Sequence, residues 1–238
     1  MFKTLTIIGG VFLLSIATLI AQEKVNQFDA NGKRHGVWKK NYKNTHVLRY
    51  EGEFNHGKEI GTFKFYKNVN SKPSLTATRT FNAQNNIAEV TFFASNGKII
   101  SQGNMLGKKH IGTWKYFHNN SNQVMTIENY NTNGNLEGES VVYYLNGQIA
   151  EKSHFKEGKL HGQSLWYDED GTLIKEYNYI HDELYGKANF YGPEGKLKLK
   201  GQYKNNRRDG VWTYYKKNGE IEKEEDFTRR SKNPYKQH

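Results

Sequence analysis

The chain of 238 residues contains no cysteine. That excludes disulfides, thiol nucleophiles, cysteine-ligated zinc and lipid attachment through an N-terminal cysteine. Proline is nearly as scarce, with three residues. The hydrophobic fraction is only 35% and the mean hydropathy −0.89, which is poor material for a thick globular core. Disorder does not follow, because 16 Tyr and 13 Phe are far more aromatic residues than a disordered chain carries. With 23 Gly to supply turns, this composition points to short strands rather than helices.

The start, MFKTLTIIGGVFLLSIATLIAQ, has one Lys and then an uncharged apolar run to Ala21. This is the layout of a secretory signal peptide over residues 1–21, with cleavage after Ala21. The competing reading is an uncleaved membrane anchor, since the run is barely long enough to span a bilayer. Either way the body of the protein is expected outside the cytoplasm, secreted or periplasmic.

From there the chain repeats itself. A small residue opens each unit: Gly36, Gly61, Ala88, Gly112, Gly138, Gly162, Gly186 and Gly210. An apolar residue closes it: Phe54, Phe81, Met105, Tyr130, Phe155, Tyr179, Tyr203 and Phe227. Six residues before each closing residue stands Leu48, Leu75, Ile99, Val124, Ile149, Leu173, Leu197 or Ile221. Counting from the opening residue, apolar side chains favour positions +2 and +4, as in Phe63/Phe65 and Trp114/Tyr116. A period of two predicts a strand covered on one face. The six-residue spacing predicts that the Leu/Ile/Val series shares a face with the closing residue.

Between the strands lie Asn96-Gly97, Asn146-Gly147, Asp170-Gly171 and Asn218-Gly219. These dipeptides tolerate positive φ at both corners and predict tight hairpin turns. The units of Gly36, Gly61 and Gly112 carry longer links, such as NVNSKP, and the opening Gly is expected to turn the chain into the next unit. The fold class is therefore all-β: an elongated antiparallel sheet or solenoid of about eight stacked β-hairpins of roughly 24 residues. The organisation expected is an N-terminal partial cap over 22–35, a repeat domain over 36–227 and a basic, disordered tail over 228–238.

The stretches YEGEFNHGKEIGTF (50–63) and GKLHGQSLWY (158–167) resemble MORN repeats, in the bacterial variant found in secreted proteins and antitoxin-like families. The resemblance implies an elongated antiparallel β architecture and binding rather than catalysis. Independent of it, no GxSxG, P-loop or HExxH pattern occurs, so no catalytic residue is assigned. Nine His are present, but copies one unit apart along a ribbon lie roughly 10 Å from each other, too far to ligate together. No metal site and no cofactor are assigned.

Position +5 carries a second aromatic series: Tyr66, Phe93, Phe117, Tyr143, Tyr167, Tyr191 and Tyr215, broken only by Asn41. An odd position faces away from +2 and +4. The stripe is either structural, stabilising a thin sheet, or a contact row for a protein strand, a glycan or a second copy of the chain. These seven are the candidate binding residues.

Charge is unevenly spread over a total of +11. Residues 22–119 hold 16 basic against 6 acidic residues, 120–195 hold 5 against 12, and 196–238 hold 13 against 6. A protein partner is the leading expectation. The basic stretches also suit an anionic membrane lipid, a wall polymer or another polysaccharide. Nucleic acid is disfavoured by export. An antitoxin-like neutralisation of a partner protein, and homo-oligomers pairing acidic middle with basic end, complete the readings.

Overall fold

The computed structural model describes residues 24–82 and 84–228. The expected signal peptide, and all of the tail but Thr228, lie outside them. The N-terminal half is built from β1 (Gln27–Phe28), β2 (Arg34–Asn41), β3 (Leu48–Asn55), β4 (Lys58–Val69), β5 (Lys72–Phe81), β6 (Ile87–Phe93), β7 (Ile99–Leu106), β8 (Lys109–Phe117) and β9 (Val124–Tyr130). The other half holds β10 (Gly138–Tyr143), β11 (Ile149–Lys156), β12 (Lys159–Tyr167), β13 (Leu173–Ile180), β14 (Glu183–Leu184), β15 (Gly186–Tyr191), β16 (Leu197–Lys204), β17 (Arg207–Tyr215) and β18 (Ile221–Asp226).

Together they form one long, open antiparallel sheet of 18 strands. The registers run in chain order: β2 pairs with β3, β3 with β4, β9 with β10 and so on to β17 with β18. Eight hairpins follow one another, which we number repeats 1 to 8. The short β1 adds to β2, where Phe28 packs edge-on against Trp38 at 5.1 Å.

The turns depart from expectation. In Asn96-Gly97, Asn146-Gly147, Asp170-Gly171 and Asn218-Gly219 only the glycine has positive φ, between 81° and 86°. The amide of Gly97 donates to the Ala94 carbonyl, and that of Ala94 to the Lys98 carbonyl. This is a three-residue loop ending in a glycine bulge. Asn96 keeps a negative φ, and its side-chain oxygen accepts the Lys98 N–H at 3.0 Å, which holds the turn. Tight two-residue turns with positive φ at both corners occur instead between repeats, at His56-Gly57, Glu157-Gly158, His181-Asp182 and Asn205-Asn206. The link NVNSKP also closes on two residues, Asn70 and Ser71, because β4 and β5 extend to pair Val69 with Lys72.

The opening glycines do not make the turn into the next unit. Gly61, Gly112, Gly162 and Gly210 sit inside the following strand at positive φ, opposite a register jump of two residues, as where Gln102 faces Lys115 but Asn104 faces Ile111. Only glycine adopts that backbone without a steric penalty. Ala88 supplies the control: its φ is not positive, and β5 and β6 pair without any shift.

A second irregularity recurs inside each hairpin, between +4 and +5. Phe65 pairs with Ala77 but Tyr66 with Leu75, leaving Thr76 as the extra residue of a β-bulge. The equivalents in the other repeats are Arg49, Ile100, Met125, Ala150, Ile174, Lys198 and Glu222. The bulge interrupts alternation. The Leu/Ile/Val series therefore pairs with the +5 residues and does not share a face with the closing residue.

The largest fully buried side chains lie in a row across one face, at +2 on the first strand of each hairpin and two before the closing residue on the second, with Phe54, Ala88 and Met105 buried beside it. Its members from β2 to β8 are Trp38, Gly52, Phe63, Arg79, Val90, Gly103 and Trp114; from β9 to β18 they are Glu128, Ser140, Ser153, Ser164, Tyr177, Ala188, Gly201, Trp212 and Glu225. At three junctions a large ring fills the space left by a glycine on the neighbouring strand: Phe63 over Gly52, Trp114 over Gly103 and Trp212 over Gly201. A Cβ on Gly103 would stand 2.6 Å from the Trp114 ring, and one on Gly201 2.2 Å from Trp212. Trp114 and Trp212 are 0% exposed on a sheet one layer thick. Two residues before the opening glycine, His110 stacks on Trp114 at 3.7 Å and Arg208 lies 4.3 Å over Trp212. Arg34 covers the half-buried Trp38 in the same way at 4.9 Å. Part of the positive charge is thus spent on roofing the tryptophans.

Candidate interaction face

The +5 series lies on the opposite face, beside +3 residues that are polar except for Val141 and Leu165. Tyr66 shows the arrangement: it pairs across the strand with Leu75, and its hydroxyl donates to Glu51 at 2.7 Å. Burial, and then that carboxylate, push its phenol up to about 12. Lys39 and Lys64 flank the same Glu51 at 3.9 and 3.8 Å. Tyr191 repeats the motif more loosely, its hydroxyl 3.4 Å from Glu176.

Phe93 pairs with Ile99, Phe117 with Val124, Tyr143 with Ile149 and Tyr167 with Leu173. Tyr215 pairs with Ile221 and carries the Lys200 ammonium 5.4 Å from its ring centre. All seven are half-buried. Each meets its own hairpin's Leu, Ile or Val, and no two of the seven rings pack on each other among the described residues. The stripe is a series of separate aromatic–aliphatic pairs, roughly 10 Å apart along the sheet.

Sequence reasoning missed the residue beside each pair. The bulge pushes Ile100, Met125 and Ile174 outward, 49%, 37% and 37% exposed, with the half-buried Ala150 between them in repeat 5. They form an apolar row across repeats 3 to 6. The signal available was their place, always the residue after the Leu/Ile/Val series, but period two assigns that place to a solvent face. Histidines meet only in pairs: the rings of His35 and His56 lie 4.9 Å apart and tilted, those of His161 and His181 5.4 Å apart, and no group of three potential ligands occurs among the described residues.

Comparison with known proteins fits this geometry. A family model described as MORN repeat variant matches residues 136–157, 160–181, 184–205 and 208–228. Those matches are repeats 5 to 8, and each begins at the residue two before the opening glycine. Repeats of this family are in general non-catalytic and mediate protein or membrane binding. No curated protein matches the chain. Among solved structures, a mutant of S. aureus TarM in complex with fondaparinux, alpha-GlcNAc-glycerol and UDP aligns over 52% of this chain and 19% of its own. Its identity is 13% and its TM-score 0.21, so it carries no argument.

Proposed function

We propose that the chain is a non-enzymatic binding scaffold, exported from the cytoplasm, that docks another protein on the face bearing the +5 pairs. The observation that carries this reading is the outward row Ile100, Met125 and Ile174, set beside aromatic–aliphatic pairs at a regular spacing. Exposed apolar residues repeated in register form a continuous surface, and such surfaces mark contact sites. A partner would bridge several hairpins at once, so affinity would come from summed small contacts rather than a pocket. Antitoxin-like neutralisation of a protein is one biological form this docking could take.

The test compares capture by the chain from residue 22 onward with capture by Ile100→Glu/Met125→Glu/Ile174→Glu. Loss of a specific partner with unchanged thermal unfolding supports docking on this row. Equal capture by both sinks it.

The charge distribution favours a second reading. Residues 22–119 form a strongly basic half, suited to anionic lipid or a wall polymer. Co-sedimentation that requires anionic lipid, fades with salt and is indifferent to the triple substitution would favour that reading instead.

A further inference from the structure

In repeats 1, 4 and 5 the side chain at position +6 ties one hairpin tip to the next. The Tyr42 hydroxyl donates to the Tyr66 carbonyl at 2.7 Å, and the Tyr144 hydroxyl to the Tyr167 carbonyl at 2.7 Å. His118 Nε2 lies 3.0 Å from the Tyr143 carbonyl. In repeat 7 the position is Gly192, which has no side chain to make the tie. There a cleft of about 360 Å³ opens between the tips of repeats 7 and 8, reaching Leu197 and Tyr215 at its apolar side.

Four lysines line this cleft. Lys196 is held by Glu194 at 2.8 Å, and Lys216 by Glu220 at 3.3 Å. Lys198, displaced outward as the bulge residue of repeat 7, and Lys217 make no ion pair among the described residues. Lys200 adds a further ammonium over the Tyr215 ring. From residue 196 to 217 the chain has eight Lys and Arg against one acid, Asp209.

We propose that this cleft binds a phosphate-bearing anion. Unpaired ammoniums at its rim are compact point charges, the form in which lysine holds phosphate. A group with two or more negative charges gains most from several cations converging on one opening. Tyr215 and Leu197 offer a surface for the ring or chain that carries the phosphate. The inference rests on the cleft and does not depend on protein docking elsewhere on the sheet.

The experiment titrates the folded chain with sodium pyrophosphate at low ionic strength, following backbone amides by NMR. Saturable shifts confined to Gly192–Lys198 and Tyr215–Lys217 are expected. Gly192→Tyr places in the cleft the residue that repeats 1 and 5 carry, and should weaken binding about tenfold or more. Gly192 has an extended backbone at φ −93°, and a Cβ there would meet only the Lys196 carbonyl oxygen at 3.8 Å. An unchanged spectrum elsewhere confirms that this variant folds. Lys198→Glu/Lys217→Glu should weaken binding at least as much.

Pyrophosphate binding that survives Gly192→Tyr, or shifts spread over lysines of every repeat, overturns the proposal. So does a polyglutamate peptide that binds as tightly as pyrophosphate. A second arm uses phosphatidylcholine vesicles with and without phosphatidate. Capture by phosphatidate that Gly192→Tyr abolishes assigns the phosphate to a lipid headgroup. Capture without any pyrophosphate binding, equal in both variants, overturns the cleft as the site.

Discussion

Three glycines are required for the side chain they lack. Gly52, Gly103 and Gly201 lie under Phe63, Trp114 and Trp212, with an added Cβ falling 2.2–2.6 Å from the ring atoms. A fully buried indole cannot give way, so Gly103→Ala should cost about 1–3 kcal/mol through overpacking, seen as a fall in urea midpoint at constant slope. The same row accommodates Ser153 beside Ser164, where both partners are small. Gly201→Ser/Trp212→Ser should therefore cost less than the sum of its single changes, a coupling that a double-mutant cycle reads directly. The sequence period placed Trp114 and Trp212 on the covered face. It did not reveal the volume exchange with Gly103 and Gly201, because the partners stand on different strands and only a register brings them together.

Elements are set by irregularities as much as by alternation. Gly112 has φ 63° with nothing within 4 Å of an added Cβ. Gly112→Ala should thus cost about 1–2 kcal/mol from backbone strain alone, whereas Ala88→Gly, in a link without a shift, should cost about 0.5–1 kcal/mol. Thermal unfolding of both variants checks the contrast. Repeat length, hairpin number and the covered face were legible from spacing; the two-residue strands β1 and β14 were not. The bulge between +4 and +5 was not, since it adds one residue without changing composition, and it reassigns Leu75 and its equivalents to the other face.

The His110 imidazole links one element to pH. Burial against Trp114 and Tyr130 holds it below its ordinary 6.5, opposed by the nearby Glu128 carboxylate. The unfolded chain then binds the proton more readily than the folded one. The contribution of this group to stability is complete above 6.5 and is lost as the pH falls from there through its lower folded-state pKa. The fall in melting temperature between pH 7 and pH 5 should be smaller in His110→Phe than in the parent chain.

At the scale of the molecule, stability is a sum of hairpins and their junctions. On the last strand, Glu225 accepts the Tyr214 hydroxyl at 2.9 Å and Lys223 covers the Tyr214 ring at 4.4 Å. They close the seam at this end. Ending the chain after Ile180 would uncover Tyr177, which packs against Phe190 at 5.5 Å and Tyr203 at 5.9 Å. Such a truncation should keep strand content in its remaining repeats while lowering both the urea slope and the midpoint.

The central claim is that successive hairpins pair in chain order along one sheet. The chain has no cysteine of its own, so engineered pairs report contact without background. Cysteines replacing Glu51 with Lys64, Gln102 with Lys115, or Glu176 with Asn189 stand at facing positions across three junctions. Each pair should oxidise to an intramolecular disulfide in the folded chain, while Glu51 with Lys115 should not. Failure of the facing pairs, or closure of the distant one, would contradict the fold described.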